Sequence, residues 1–271
     1  MATDGPSVAI VGLGWLGEPL AETLQARGYR VAGTTTDAGK ADRLGAAGLR
    51  VRLWDINGPL PACWPAELVA DTLILCVPPG RVDDYASTLG RLASLAAAGG
   101  IKRLLFTSAT SVYGGPGHKT EQHAAPDSVR GERMLAAEQA VRQAGVPQVL
   151  CLRLAGLVGG SREPGRFLAG RRFPGGEEPV NLVAQEDLLR IIPAILARAD
   201  WPSCLNVCAP HHPSRRAFYT KAALDRGLTP PAFDGGGEGK HIDGSALTRW
   251  LKLDYRVQDW FAWLEQRKAQ D

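Results

Sequence analysis

The sequence has no apolar run approaching 18 residues, which excludes a membrane-spanning helix. Its start, MATDGPSVAIVG, lacks a basic stretch followed by a long apolar run, so no signal peptide is expected. It lacks a dominant charge: 31 Lys and Arg stand against 28 Asp and Glu, a net charge of +3. The cations are scattered among acids rather than gathered into a stripe, which argues against a nucleic-acid partner. Cysteine is scarce and odd in number, five in all. Cys76 and Cys151 fall inside apolar strand-like runs, where a thiol behaves as a small hydrophobe. A reduced, cytoplasmic compartment fits this usage. Cys204 and Cys208 followed by His211 and His212 do not have zinc-ligand spacing, so no metal is expected. Internal repeats and low-complexity tracts are absent as well.

What remains is an ordinary globular composition. The 271 residues are 45% hydrophobic, enough for one large α/β domain or a domain with a smaller lobe. A small anionic ligand suits the mild basic balance, and so does no ligand. Over the first 155 residues apolar strand runs alternate with helical patterns. Strands are expected at Ser7–Val11, Tyr29–Gly33, Leu49–Leu53, Thr72–Val77, Arg103–Thr107 and Val149–Leu154. Leu16, Leu20 and Leu24 share one helical face that stops at Gly28, with Pro19 in the first turn, where its missing N–H costs little. Further helices are expected at Asp83–Ala98 and Arg130–Ala144. This order predicts a doubly wound parallel sheet, a Rossmann fold, over residues 1–156. Past residue 156, glycine- and arginine-rich loops precede a helix near 186–199 and a strand near 204–208. This part, 157–271, reads as a small C-terminal substrate lobe over the carboxyl edge of the sheet. Trp250, Trp260 and Trp263 read as lobe packing or a subunit interface, in a monomer or homodimer.

GLGWLG, Gly12 to Gly17, is a G-x-G-x-x-G that follows a strand and opens a helix. That context points to a dinucleotide site. Gly12 permits the tight turn, Gly14 lets the backbone approach a pyrophosphate, and Gly17 allows close helix–strand packing. Leu13, Trp15 and Leu16 complete the turn, and the helix N-terminus offers its free N–H groups to the phosphates. At the tip of the second strand an NAD site usually has an acid on the ribose 2′-OH. Here stand Thr34, Thr35 and Thr36, with Asp37 just beyond and Lys40 and Arg43 near enough to reach a 2′-phosphate. NADP(H) is therefore expected in preference to NAD(H), with Asp37 the residue that argues the other way. Asp55 and Ile56 end the third strand and would meet the adenine edge. Cys76, Val77 and Pro78 end the fourth and would run along the ribose and pyrophosphate.

Taken in order, GLGWLG, LLFTSATSVYG, TEQHAAPDSVRGERMLAAE, LRLAGLVG, VNLVAQEDLL and LNVCAPHHPSRRAFY resemble an extended or atypical short-chain dehydrogenase/reductase of the NAD-dependent epimerase/dehydratase type. The resemblance runs over nearly the whole chain, although that family's glycine motif is typically G-x-x-G-x-x-G. It implies an oxidoreductase or epimerase acting on a small polar substrate, sugar-like or carbonyl. It also implies a Tyr-x-x-x-Lys pair, in which the lysine lowers the pKa of an acid/base phenol that otherwise titrates near 10. Aligned on Glu138, the pair falls on Arg130 and Met134, so neither member is present. The family's hydroxyl, four residues before Tyr113, falls on Ala109, with Ser108, Thr110 and Ser111 around it, and Thr107 at the end of the fifth strand is a candidate cofactor contact.

Tyr113, or a water held by Ser111, is then the candidate acid, and Arg133 the candidate cation. The other reading is that these hydroxyls only terminate the fifth strand. Arg162 and Arg166 either clamp an anionic group of the substrate or form a solvated basic loop. Asn181 is a candidate substrate contact by resemblance. The missing pair also leaves a different class open, a non-catalytic NADP(H)-binding sensor or scaffold.

Overall fold

The computed structural model describes residues 5–269. Its strands, in chain order, are β1 (Ser7–Val11), β2 (Arg30–Thr35), β3 (Arg50–Leu53), β4 (Thr72–Leu75), β5 (Arg103–Ala109), β6 (Gly117–Lys119), β7 (Gln148–Leu154), β8 (Gly156–Val158), β9 (Arg172–Pro174), β10 (Leu182–Ala184), β11 (Cys204–Val207), β12 (Ala232–Asp234) and β13 (Lys240–Ile242). The helices are α1 (Gly17–Ala26), α2 (Ala38–Ala46), α3 (Tyr85–Ala98), α4 (Val129–Arg142), α5 (Gln185–Leu196), α6 (Arg215–Leu224), α7 (Ser245–Leu251) and α8 (Trp260–Lys268).

Seven strands form one parallel sheet in the order β11-β7-β5-β4-β1-β2-β3, which is the doubly wound arrangement. β1 and β4 are buried at every position, as expected where helices cover both faces of a parallel sheet. β1 pairs with β2 on one side and β4 on the other, so the winding reverses there. Open α/β sheets form their ligand crevice at such a reversal, outside the carboxyl ends of the strands. The α1 stripe is as read: Leu20, Ala21 and Leu24 are buried, and Gly28 ends the turn with φ at 83°.

The chain divides into two compact units. One holds the residues up to Ala109 together with Ser128–Leu152 and Ile195–Cys204. The other holds Thr110–Asp127, Arg153–Ala194 and the chain from Leu205 onward. The second unit contains three short parallel pairs, β8 with β10, β9 with β12 and β6 with β13. Its core includes Phe218, Trp260 and Trp263, with the two indoles edge to face at 5.4 Å. Asp187 is fully buried there and accepts from the Arg256 and Val257 amides. Burial pushes its carboxyl up, against the pull of those amides and of Arg190.

In the first unit α2 was not legible: it follows β2 directly, capped by Asp37, whose carboxylate accepts from the Lys40 amide at 2.9 Å. α2 buries only Leu44, too little to leave an apolar stripe in the sequence.

Candidate dinucleotide site

At the β1/β4 reversal the chain turns through Gly12, whose φ is 101°. A side chain there would be strained, and its Cβ would lie 3.0 Å from the Cys76 carbonyl oxygen. A Cβ on Gly17 would sit 2.1 Å from the Gly12 oxygen, which is impossible without moving the backbone. Gly14 is different. It is exposed, and a Cβ there would meet nothing within 4 Å. The turn is thus closed below by Gly12 and Gly17 and open above at Gly14, the geometry a pyrophosphate approaching the backbone requires. α1 starts at this turn, its Glu18 amide donating to the Gly14 carbonyl at 3.1 Å, so the positive end of the helix dipole lies beside Gly14.

Other residues expected at the cofactor have more particular places. Leu13 and Leu16 are buried in the core, Leu13 against Gly33, so they face the turn only through backbone. Trp15 is half-buried and Thr36 exposed. The Thr34 hydroxyl accepts from the Gly12 amide at 3.1 Å, and the Thr35 hydroxyl accepts from the Asp37 amide at 3.2 Å. Two of the three threonines therefore stabilise turns instead of pointing at a ribose, and Asp37 is occupied as the α2 cap. The Lys40 ammonium donates to the Leu13 carbonyl at 3.1 Å and pairs with Glu18 at 2.9 Å. Arg43 reaches the other oxygen of Glu18 at 2.5 Å. Asp55 is exposed and accepts from the Asn57 amide and side chain, while Ile56 is buried.

The loop after β4 begins with Cys76, Val77 and Pro78. The Cys76 thiol is pushed up to about 12 by burial, against a hydrogen bond with Thr107, and is no nucleophile. The Thr107 hydroxyl donates to the Leu75 carbonyl at 2.9 Å. Three side chains hold this loop, and two of them, Asn57 and Tyr85, were not singled out in the sequence. Asn57 donates to the Arg81 carbonyl at 2.8 Å, and Tyr85 donates to the Val77 carbonyl at 2.7 Å. Arg133 donates to the Val82 and Asp83 carbonyls. Arg133 thus corrects an expectation. Its guanidinium braces the loop and stacks over the Tyr85 ring at 5.8 Å, and is not offered to the hydroxyl cluster.

That cluster is also reassigned. Ser108 is buried, and its hydroxyl donates to the buried Glu138 carboxylate at 2.6 Å, which Arg142 pairs at 3.3 Å. In the second unit, Thr110–Val112 form a 3-10 turn with Thr110 buried. Tyr113 is fully buried. Its hydroxyl donates to Asn206 Oδ1 at 2.6 Å and accepts from Arg153 Nη1 at 2.9 Å. A phenol engaged on both sides and shut from solvent is a structural post, not a free acid. Lys240 donates to the Thr110 and Tyr113 carbonyls at 3.1 and 2.8 Å and fixes the turn. Ser111 alone of Ser108, Ser111 and Tyr113 keeps a buried hydroxyl with no hydrogen-bond partner. α4 carries Arg130, exposed, and Met134, buried, where the resemblance called for tyrosine and lysine.

Arg162 and Arg166 are exposed. Asn181 is engaged with β13: its amide donates to the Lys240 carbonyl and its oxygen accepts from the Ile242 amide, both at 2.8 Å. A cavity of about 260 Å³ in the same unit is lined instead by His212, His241, Asp243, Ser245, Thr248 and Tyr255, among others. Among the described residues no three His, Cys, Asp or Glu side chains are grouped to hold a metal, and no helix is long and apolar enough to cross a membrane.

A glycine turn at the winding reversal of a parallel sheet, open above Gly14, defines the class: a Rossmann protein with an NAD-binding domain, its fold that of the epimerase/dehydratase-type short-chain dehydrogenases. Residues 7–101 match the family model of the NAD binding domain of 6-phosphogluconate dehydrogenase. The chain belongs to the family of Protein YeeZ: it is 39% identical to the Escherichia coli K12 protein over 267 residues, covering 93% of this chain and 96% of that one. Two solved structures share the fold. A functionally unknown conserved protein from Silicibacter pomeroyi DSS has a TM-score of 0.79 at 23% identity, covering 98% of this chain and 99% of that one. MoeE5 in complex with UDP-glucose and NAD has a TM-score of 0.77 at 20% identity, covering 98% and 100%.

Proposed function

We propose that this protein binds NADP(H) in preference to NAD(H) at Gly12–Gly17 and acts as an oxidoreductase or epimerase-like enzyme on a small polar substrate, sugar-like or carbonyl. The observation that carries the reading is the turn itself, closed at Gly12 and Gly17 and open at Gly14. The preference is supported by Lys40 and Arg43 beside the β2 tip and by Asp37, whose carboxylate is committed to the α2 cap. The substrate class is supported by the likeness to MoeE5, which binds UDP-glucose and NAD. The bound cofactor would supply hydride transfer. The chain would hold it against the Gly12–Gly17 backbone, over the open space at Gly14, and along the braced loop after β4.

A second reading, a non-catalytic NADP(H)-binding sensor, is favoured by one fact: Ser108, Tyr113 and Arg133 all have their polar atoms engaged within the protein. Titration of purified protein with NADPH and NADH, followed by nicotinamide fluorescence and thermal shift, tests the shared premise. Tighter NADPH is the expected result. Tighter NADH overturns the preference, and binding of neither overturns both readings. Sugar and carbonyl substrates that oxidise bound NADPH separate the enzyme from the sensor.

A further inference from the structure

Glu18 is the first residue past the glycine motif, in the opening turn of α1, where an acid is favoured by the helix dipole. No sequence motif marks it. Its two carboxylate oxygens are divided between two cations from α2: Lys40 at 2.9 Å on one, Arg43 at 2.5 Å on the other. Burial works to raise its carboxyl, and the hydrogen bonds and charges of Lys40 and Arg43 outweigh it, so Glu18 is held ionised. The same Lys40 ammonium touches the Leu13 carbonyl inside the glycine turn, so the cluster adjoins the candidate cofactor site. Lys40 and Arg43 are balanced by Glu18 and Asp37, and the cluster as it stands is not basic. Asp37 acts on the Lys40 backbone amide, which leaves Glu18 as the acid that occupies both cationic side chains.

We propose that Glu18 sets the dinucleotide preference: it occupies Lys40 and Arg43 in the free protein, and a 2′-phosphate must take them from it. This rests on the reading of Gly12–Gly17 as the cofactor turn. All three side chains reach solvent, with 26% of Lys40, 21% of Glu18 and 57% of Arg43 exposed. Ion pairs of this kind are weak and exchange readily. A phosphate carries more charge than a carboxylate and offers arginine two oxygens in its preferred geometry, so it competes well. NAD(H), with a bare 2′-hydroxyl, leaves the Glu18 pairs intact. Glu18 therefore reduces affinity for one cofactor and not for the other.

The test is the ratio of NADPH to NADH dissociation constants, measured by fluorescence titration for the wild type, Glu18→Gln, Lys40→Met and the double variant. Glu18→Gln is expected to tighten NADPH about threefold to fivefold, the scale of one released exposed ion pair, with little change for NADH. Lys40→Met is expected to weaken NADPH by a similar factor, and to remove most of the Glu18→Gln gain in the double variant. A bridge that only ties α1 to α2 would lower the melting temperature without moving the ratio. Glu18→Asp, too short to reach both cations, gives a second variant should Glu18→Gln fold poorly, and is expected to fall between.

An unchanged ratio in variants that bind both dinucleotides overturns the role of Glu18 and leaves the turn as the cofactor site. Wild type favouring NADH, with Glu18→Gln shifting the ratio toward NADPH, overturns the stated preference and upholds Glu18. Binding of neither by any variant overturns both.

Discussion

The glycine turn after β1 and the hydroxyl turn after β5 are both candidate sites in the sequence, yet they use polar groups in opposite ways. At Gly12–Gly17 the small residues clear backbone from one side, and the other side faces open space at Gly14. At Thr110–Tyr113 the polar groups turn inward: Tyr113 meets Arg153 and Asn206, and Lys240 caps two carbonyls. The first arrangement suits a ligand. The second suits a rigid turn. The lesson is that hydroxyls near a family motif do not define a reacting group until their partners are known.

The sharpest way to break this contrast lies inside the glycine turn. Gly17→Val places atoms where the Gly12 oxygen stands and is expected to cost about 3 kcal/mol or more in a denaturant melt. Gly14→Val sets its Cβ where no protein atom lies within 4 Å and is expected to melt within about 0.5 kcal/mol of wild type. The same variant should lose dinucleotide affinity about tenfold or more, because the added side chain fills the space above the turn. Wild-type affinity in Gly14→Val would mean that no cofactor approaches there.

The next effect is on the inward turn. Tyr113→Phe strips partners from a buried guanidinium and a buried amide oxygen. It is expected to destabilise by about 1–3 kcal/mol while leaving NADPH affinity unchanged. Abolished turnover at unchanged stability would restore Tyr113 as the acid and reverse the comparison.

A third effect is a pH dependence in the second unit. The His212 imidazole is pushed down to about 4 by burial first, then by the neighbouring His241 and His211, against Val180, whose carbonyl accepts from Nδ1 at 3.0 Å, and Asp243. The unfolded chain binds this proton near pH 6.5, the folded chain only near 4. Stability from this residue is therefore complete above about pH 6.5 and declines as pH falls toward 4. His212→Asn should flatten that decline relative to wild type in melts at pH 7, 5.5 and 4.5. Identical slopes would show that the imidazole is not shielded.

The central strands were legible because parallel strands buried on both faces leave continuous apolar runs, and α1 because Leu20 and Leu24 mark a single face. β2 and β5 each run two residues beyond the pattern, as far as Thr35 and Ala109, since a backbone ladder continues through polar side chains. The three-residue pairs of the second unit leave no such trace. Each is fixed by a partner far along the chain, and a single sequence does not record pairing. The glycine turn was readable because its pattern is local to six residues. The fate of Tyr113 was not, because Arg153 and Asn206 lie 40 and 93 residues away. Glu18 escaped notice for the same reason: its meaning comes from Lys40 and Arg43 across a strand, and α2, which carries both, left almost no apolar signature.

The clamp of Lys240 on the Tyr113 carbonyl joins residues 127 positions apart. At a synthesis rate of about 5–20 residues per second, the turn would wait roughly 6–25 s for its lysine to be made. The β1–β2 pair needs no such delay. During translation the nascent chain thus has β1 and β2 available to pair early and carries an unlocked Thr110–Tyr113 segment for nearly half of its synthesis. That interval is when the segment is exposed to proteases and chaperones.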